Sequence, residues 1–463
     1  MKQKCRGRKP SEYVYRCEGN SSVVVWDNQS KRIFRLSKRM SQEGSRKKKK
    51  LTLFPAAQRA TLCVDYIRHV VAPLFHPCFV PDQGLIEMES SFVDQISDIV
   101  TTYRPRHRLA SSIDSSQTSV MFMDDCCFVR EPKFVSNNST FAIEIKPKCG
   151  YLPRTSSACQ FCMLQYHKVK EGRVKQRSEY CPIDLYSGDR QRMRRAFDGL
   201  LKTPQNNLRI FKDGFLVFSE ENKCDLNDIL EESGVSDEDF FDVLLKALMY
   251  SPASHQEDTH CNKEEEGQVL VIDGAVCSEQ VARMPYTSKP EVCENSSSCL
   301  PEGCVLHALL KAQRMHDLDI GTIHHLYQNL LKVQLHTDSE AFNLQGPFTP
   351  ETWNIMDTDE NKLPDSISYM VLKVQQYLVS RTVRDCSVMV AFQPYSKSGT
   401  PPPTEPNSPC FFIETELGLH CQASVAIIDM DPKPPHKIPT YHREETDILA
   451  YYLQQVTSRL AKS

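Results

Sequence analysis

Two short stretches far apart in the sequence carry the residues best suited to chemistry: Glu144-Ile145-Lys146-Pro147-Lys148 and Asp429-Met430-Asp431-Pro432-Lys433. Side chains alternate along a strand, so Glu144, Lys146 and Lys148 can share one face while Ile143 and Ile145 point into a core. Pro147 removes a ladder donor and keeps Lys146 extended, which predicts a strand end or a sheet edge. Two ammonium groups on one face repel each other, so their proximity makes most sense beside anions. Asp385 precedes the apolar run 387–392, and Asp429 ends a second apolar run, 423–428. Phosphoryl transfer asks for such groups: cations on phosphate oxygens, a carboxylate for the metal, and a carboxylate that orients the attacking hydroxyl. Asp429 suits Mg²⁺, which takes one or two carboxylates. Asp385 suits acceptance of a proton from an alcohol. Taken singly, each has a plainer alternative as a capping aspartate or a solvated basic strand end. Together they suit a kinase acting on a heavily phosphorylated small molecule.

Lys433 and Lys437 are four residues apart, but Pro432, Pro434, Pro435 and Pro439 exclude a regular helix there. The expectation is a proline-stiffened strap that carries both lysines and Tyr441 past Asp429. Cys159-x-x-Cys162 with His167 has the donor types of a zinc half-site, with Cys149 a conceivable fourth ligand. Reduced structural cysteines are the alternative. The Walker A lysine loop and the His-Arg-Asp and Asp-Phe-Gly triplets are absent from the sequence, which argues against the two commonest kinase classes.

These groups need a scaffold. Residues 11–37 read as two antiparallel strands entered through the small-residue loop at Gly19, and loops of this kind can lay N–H groups against phosphates. Residues 58–75 and 90–102 show helical spacing. Ser187 or Asp189 caps a helix whose inward face is Met193, Phe197, Leu200 and Leu201. Gln205-Asn206-Asn207 ends that helix and leads into a hairpin turning at Asp213-Gly214. Residues 252–303 and 397–409 are polar or proline-rich and are expected to be mobile insertions. Helical periodicity returns at 304–336 and 364–383.

At 463 residues, 40% of them hydrophobic, the chain is long enough for two lobes. Fifty-six basic against 59 acidic residues leave a formal charge of −3, so no global field draws it to nucleic acid or anionic lipid. There is no aromatic stacking series either, and no nucleic-acid partner is expected. Nineteen cysteines without a disulfide-type framework and a polar N-terminus predict a reducing, intracellular compartment, cytoplasmic or nuclear. The run Arg46-Lys47-Lys48-Lys49-Lys50 fits a nuclear localisation signal or an anion patch as well as a solvated loop. No apolar run approaches the ~18 residues of a membrane span.

The blocks EIKPKCG at 144–150, YCPIDLYSG at 180–188, PQNN at 204–207, RDCS at 384–387 and DMDPKP at 429–434 resemble those of the inositol-pentakisphosphate 2-kinase family. The resemblance extends over roughly residues 15–445. It implies an ATP-dependent enzyme that phosphorylates the 2-hydroxyl of inositol 1,3,4,5,6-pentakisphosphate to give the hexakisphosphate, phytate. It also implies an α+β, bilobal, kinase-like fold: a smaller N-terminal lobe at 1–143, a larger C-terminal lobe at 144–463 holding the inositide, and nucleotide between them. By motif position, Gly19, Asn20, Ser21 and Ser22 look like the loop over the ATP phosphates, Arg35 like a basic nucleotide contact, and Glu144 and Lys146 like further nucleotide-side groups. Lys148, Lys168, Arg192, Asn206, Asn207, Lys433, Lys437 and Tyr441 would hold substrate phosphates, Asp385 would be the base, and Asp429 the Mg²⁺ ligand. The enzyme is expected to act as a monomer. Gln160 stands where the family often has an arginine, Leu164 and Tyr166 where histidines can occur, and Cys17 where a glycine is common; these weaken one phosphate contact, the zinc site and nucleotide affinity in turn. Five phosphomonoesters carry roughly −8 to −10 in all, which demands a dense local cluster of cations. A non-catalytic scaffold that holds inositol polyphosphates is the competing reading; buried carboxylates beside the lysines argue for the enzyme.

Overall fold

The structure, a computed structural model, describes residues 3–4, 9–19, 21–27, 29–39, 56–134, 136–152, 158–252, 299–316, 318–336, 366–396, 405 and 407–460. Asn20, the basic run 46–50, residues 253–298 of the first expected insertion, and residues 397–404 and 406 of the second lie outside the described residues. The chain divides into two compact units, one containing Met1–Pro73 and Val80–Cys126, the other Leu74–Phe79, Cys127–Asp338 and Leu363–Ser463.

In the first unit six strands form one sheet in the order β1-β5-β6-β4-β3-β2. They are β1 (Gln3–Lys4), β2 (Tyr13–Glu18), β3 (Ser22–Asp27), β4 (Arg32–Ser37), β5 (Gln83–Glu87) and β6 (Ser119–Asp124). All pairs are antiparallel except β1 with β5. Residues 11–37 thus make three strands, not the two expected. As an edge strand β2 has a single ladder partner, and its polar half Arg16-Cys17-Glu18 hides the strand from an apolar pattern. On the inner face Val23, Val25, Phe34 and Leu36 are buried by alternation. Helix α1 (Ala56–Tyr66) and helix α2 (Ser90–Thr101) fall where the spacing predicts them. Val93, Ile96 and Val100, three and four residues apart, are the fully buried stripe of α2. After α1 the chain loosens into a π turn and a 3₁₀ turn at Pro73, which has no N–H to continue a helix.

The second unit holds β7 (Phe141–Ile145), β8 (Leu208–Lys212), β9 (Phe215–Phe218), β10 (Ser387–Pro394), β11 (Cys410–Glu414) and β12 (His420–Ile428). Their order is β11-β12-β10-β7-β8-β9, with every pair antiparallel. Its helices are α3 (Gln160–Lys170), α4 (Pro182–Leu185), α5 (Arg190–Lys202), α6 (Leu226–Glu231), α7 (Asp237–Leu248), α8 (Val305–Gln313), α9 (Ile320–His336), α10 (Ser366–Val383) and α11 (Ile438–Leu460). Mixed α and β structure is therefore as expected. β7 is an interior strand, so Pro147 marks a strand end and not a sheet edge. Phe141 stacks on Phe392 at 5.5 Å, and Phe240 of α7 meets both rings edge-on, at 6.2 and 5.7 Å. This aromatic cluster fixes β7 against β10. Asp189 caps α5 by accepting from Arg192 N at 2.8 Å. Asp213 and Gly214, both at positive φ, make the hairpin turn between β8 and β9. Among the described residues no helix is long and apolar enough to cross a membrane.

Candidate active site

Antiparallel pairing brings the chemical motifs together. β7 and β12 both run against β10, and β8 runs against β7, so the C-terminal ends of β7 and β12 and the N-terminal ends of β10 and β8 share one end of the sheet. In the ladder Val388 opposes Ile145, Ser387 opposes Ile428, and Leu208 opposes Ile145. Lys146 and Lys148 follow β7, Asp429 and Lys433 follow β12, Asp385 precedes β10, and Asn206 and Asn207 precede β8.

At that end Lys146 Nζ lies 3.1 Å from Asp429 Oδ2, Lys148 Nζ 3.4 Å from Asp385 Oδ1, and Lys433 Nζ 2.6 Å from Asp385 Oδ2. Both carboxylates are half-exposed, 54% for Asp385 and 48% for Asp429, and not buried as expected, because they stand beyond the strand ends; they are therefore open to a ligand. Burial alone would raise the Asp385 carboxyl, but Lys148, Lys433 and Lys146 override it and hold the group well below the usual carboxylate range. Burial acts against the Lys146 ammonium, and Asp429, Glu144 and Asp385 outweigh it and raise its pKa. For Lys148 burial wins, aided by Lys146 and Lys433 and opposed by Asp385, and its pKa falls. A lysine crowded in this way gains from an incoming anion.

Glu144 does not lie on an open face beside the two lysines. It is buried, with Arg209 Nη1 at 3.1 Å from Oε2 and Ser387 Oγ donating to Oε1 at 2.9 Å. The strand pleat ends at Ile145, and Lys148 takes a positive φ of 61°, so the lysines reach the site through the turn and not through simple alternation. Asp429 (61°) and Gln205 (47°) share this left-handed backbone, which costs a non-glycine residue about 1 kcal/mol or more and collects at functional sites. The turn is clamped. Gln313 of α8, fully buried, accepts from Gly150 N and donates to Lys148 O, each at 2.9 Å, and Tyr180 Oη donates to Pro147 O at 2.8 Å.

Other expected residues are placed unevenly. Lys146 N donates to Asn207 O at 2.9 Å, and the Asn207 side chain is buried with both amide atoms unpartnered among the described residues. Asn206 is exposed. Lys168 has no carboxylate partner among the described residues; it donates to Gln205 Oε1 at 3.2 Å, and burial, Lys148 and Arg173 push its pKa down. Arg192 is buried in an ion pair with Asp184 at 3.0 Å. Lys437 is exposed and has no ion pair among the described residues. Tyr441 lies on α11, under the guanidinium of Arg381 at 4.4 Å. The strap is thus shorter than expected, because Pro439 falls in the first turn of α11, where its missing N–H is harmless. In the other unit Gly19, Ser21 and Ser22 make the turn between β2 and β3, and Arg35 lies on β4 opposite Val24 and Met121. Arg209, Ser387 and Gln205 were missed as site residues. Ser387 was visible inside RDCS, whereas Arg209 faces Glu144 only through strand register.

The sulfur cluster also differs from expectation. Cys159, Cys162 and Cys181 are buried with their Sγ atoms within 4.8 Å of one another. His167 instead pairs with Glu171 at 3.3 Å. Cys181 follows Tyr180, and no spacing rule links it to the CxxC pair.

The profile of the inositol-pentakisphosphate 2-kinase family matches residues 15–447. The chain belongs to this family. An inositol-pentakisphosphate 2-kinase of Danio rerio is 28% identical over 478 residues, covering 96% of this chain and 93% of the relative. One from Arabidopsis thaliana is 26% identical over 411 residues, with 86% and 79% covered. A Drosophila melanogaster member is 34% identical over a shorter stretch, 18% of each chain.

Proposed function

We propose that this chain transfers the γ-phosphoryl group of ATP to the 2-hydroxyl of inositol 1,3,4,5,6-pentakisphosphate and so makes the hexakisphosphate. The observation that supports this most is the meeting of Lys146, Lys148 and Lys433 with Asp385 and Asp429 at one sheet end, in a chain of this family. In this reading Asp385 orients the attacking hydroxyl and accepts its proton. Lys146 and Glu144 serve the nucleotide side, with Gly19, Asn20, Ser21, Ser22 and Arg35. Lys148, Lys168, Arg192, Asn206, Asn207, Lys433, Lys437 and Tyr441 serve the inositide. A half-exposed Asp429 with Ser387 Oγ 3.5 Å away fits an oxygen-ligated cation, and Mg²⁺ held there would neutralise charge on the nucleotide phosphates. The reading includes a bilobal kinase-like arrangement and a monomer working in the cytoplasm or nucleus. The test is direct: the purified chain with Mg·ATP labelled at the γ-phosphate should pass label to inositol pentakisphosphate. Inositide binding without any label transfer would overturn it.

The three thiols of Cys159, Cys162 and Cys181 supply three of the four positions of a tetrahedral site, and structural Zn²⁺ is part of the same reading. Metal analysis of the purified chain should then find about one zinc per chain, and a chelator should lower its melting temperature. Full stability with no metal would leave the cysteines as core residues.

A further inference from the structure

The end of β2 hides a charged network. The side chains of Glu18, Lys38 and Arg104 are each 2% exposed or less. Arg104 meets the carboxylate in a fork, Nε to Oε1 at 3.1 Å and Nη2 to Oε2 at 2.9 Å, and also donates to the carbonyls of Arg108 and Ser111. Lys38 pairs with the same carboxylate and donates from Nζ to the Gly19 carbonyl at 2.7 Å. Its backbone N–H donates to Ser21 O at 2.9 Å, and Gly19 N–H donates to Ser22 O at 2.9 Å. Among the described residues the two cations meet a single carboxylate, which leaves one positive charge unmatched at this enclosed site.

Fold maintenance does not require that surplus. Glu18 with Arg104 is already a bidentate, neutral pair that fastens β2 to the segment after α2, and a further buried cation carries a desolvation cost. What the third member adds is control of the turn. The carbonyls of Gly19, Ser21 and Ser22 are all engaged, so none of these oxygens is free to repel an anion. Among the described residues nothing lies within 4 Å of where a Cβ on Gly19 would stand. A turn whose carbonyls at Gly19, Ser21 and Ser22 are occupied, beside a cation with no carboxylate of its own among the described residues, is suited to phosphate.

We propose that Lys38, supported by Glu18 and Arg104, is a positioning residue for the phosphate-binding turn between β2 and β3. The proposal rests on the reading above that Gly19, Ser21 and Ser22 meet the ATP phosphates. Lys38 touches the turn and not the reacting atoms.

Lys38→Met leaves Glu18 and Arg104 as a neutral pair, so the fold should hold, which circular dichroism and melting check. Its KM for ATP should rise about tenfold or more, while its KM for inositol pentakisphosphate stays within about twofold. Lys38→Arg, which keeps charge and donor, should recover much of that loss. If Lys38→Met does not fold, Lys38→Leu, which likewise lacks the donor and the charge, takes its place with the same expected rise. Gly19→Val is measured in parallel, because its side chain enters open space and reports on the ligand. A raised ATP KM in Gly19→Val with an unchanged one in the Lys38 variants overturns the proposal alone. An unchanged ATP KM in Gly19→Val removes the nucleotide reading of the turn, and the proposal with it.

Discussion

Asp385→Asn should still bind inositol pentakisphosphate while its turnover falls by about 10²- to 10⁴-fold, the range for loss of a positioned general base. Asparagine keeps the size of the side chain and removes the proton acceptor. At rest the Asp385 carboxylate is a poor base, because Lys148 at 3.4 Å and Lys433 at 2.6 Å stabilise its charge. Under the proposed function, substrate phosphates would compete for those same ammonium groups. In the proposed reading, lysines that turned to phosphate would leave the carboxylate without its counter-ions, and its proton affinity would rise beside the hydroxyl to be deprotonated. Steady-state kinetics and equilibrium binding on one preparation check this. Turnover within a few fold of the parent would take Asp385 out of the chemistry.

A second large effect is expected from Lys433→Ala. A charge-assisted contact to phosphate is worth about 1.5–3 kcal/mol, so the KM for the inositide should rise roughly ten- to a hundredfold, with a smaller change in kcat. Lys148 remains to neutralise Asp385, and the loss should therefore lie mainly in binding. Titration of both substrates separates the possibilities: a rise confined to the KM for ATP would move Lys433 to the nucleotide side.

The meeting of the lysines and aspartates at one sheet end was legible because they occur in short blocks whose local physics is strong. Pro147 marks the end of β7, Asp385 stands between a helix and an apolar strand, and Asp429 closes another. The hairpin at Asp213-Gly214 follows from turn chemistry alone. What remained hidden depends on pairing across the sheet. Nothing local shows that Arg209 opposes Glu144, that Ser387 reaches Glu144, or that β7 lies inside the sheet. Cys181 joins Cys159 and Cys162 only through the packing of α3 beside the segment before α4. Pro439 was misjudged because a proline disrupts the interior of a helix but fits its first turn. β11 escaped notice beside the proline-rich stretch that precedes it.

The sharing of one sheet end by four strands has a consequence for how such a chain can change. Connections may lengthen at small entropic cost, since the price of closing a loop grows only with the logarithm of its length. A one-residue slip inside β7, β10 or β12 is different, because these strands are packed on both faces, and a slip would exchange the two packed sets of side chains and carry the reactive groups off their common rim. Distances between the blocks along the polypeptide are therefore elastic, whereas the count of residues inside each strand is stiff.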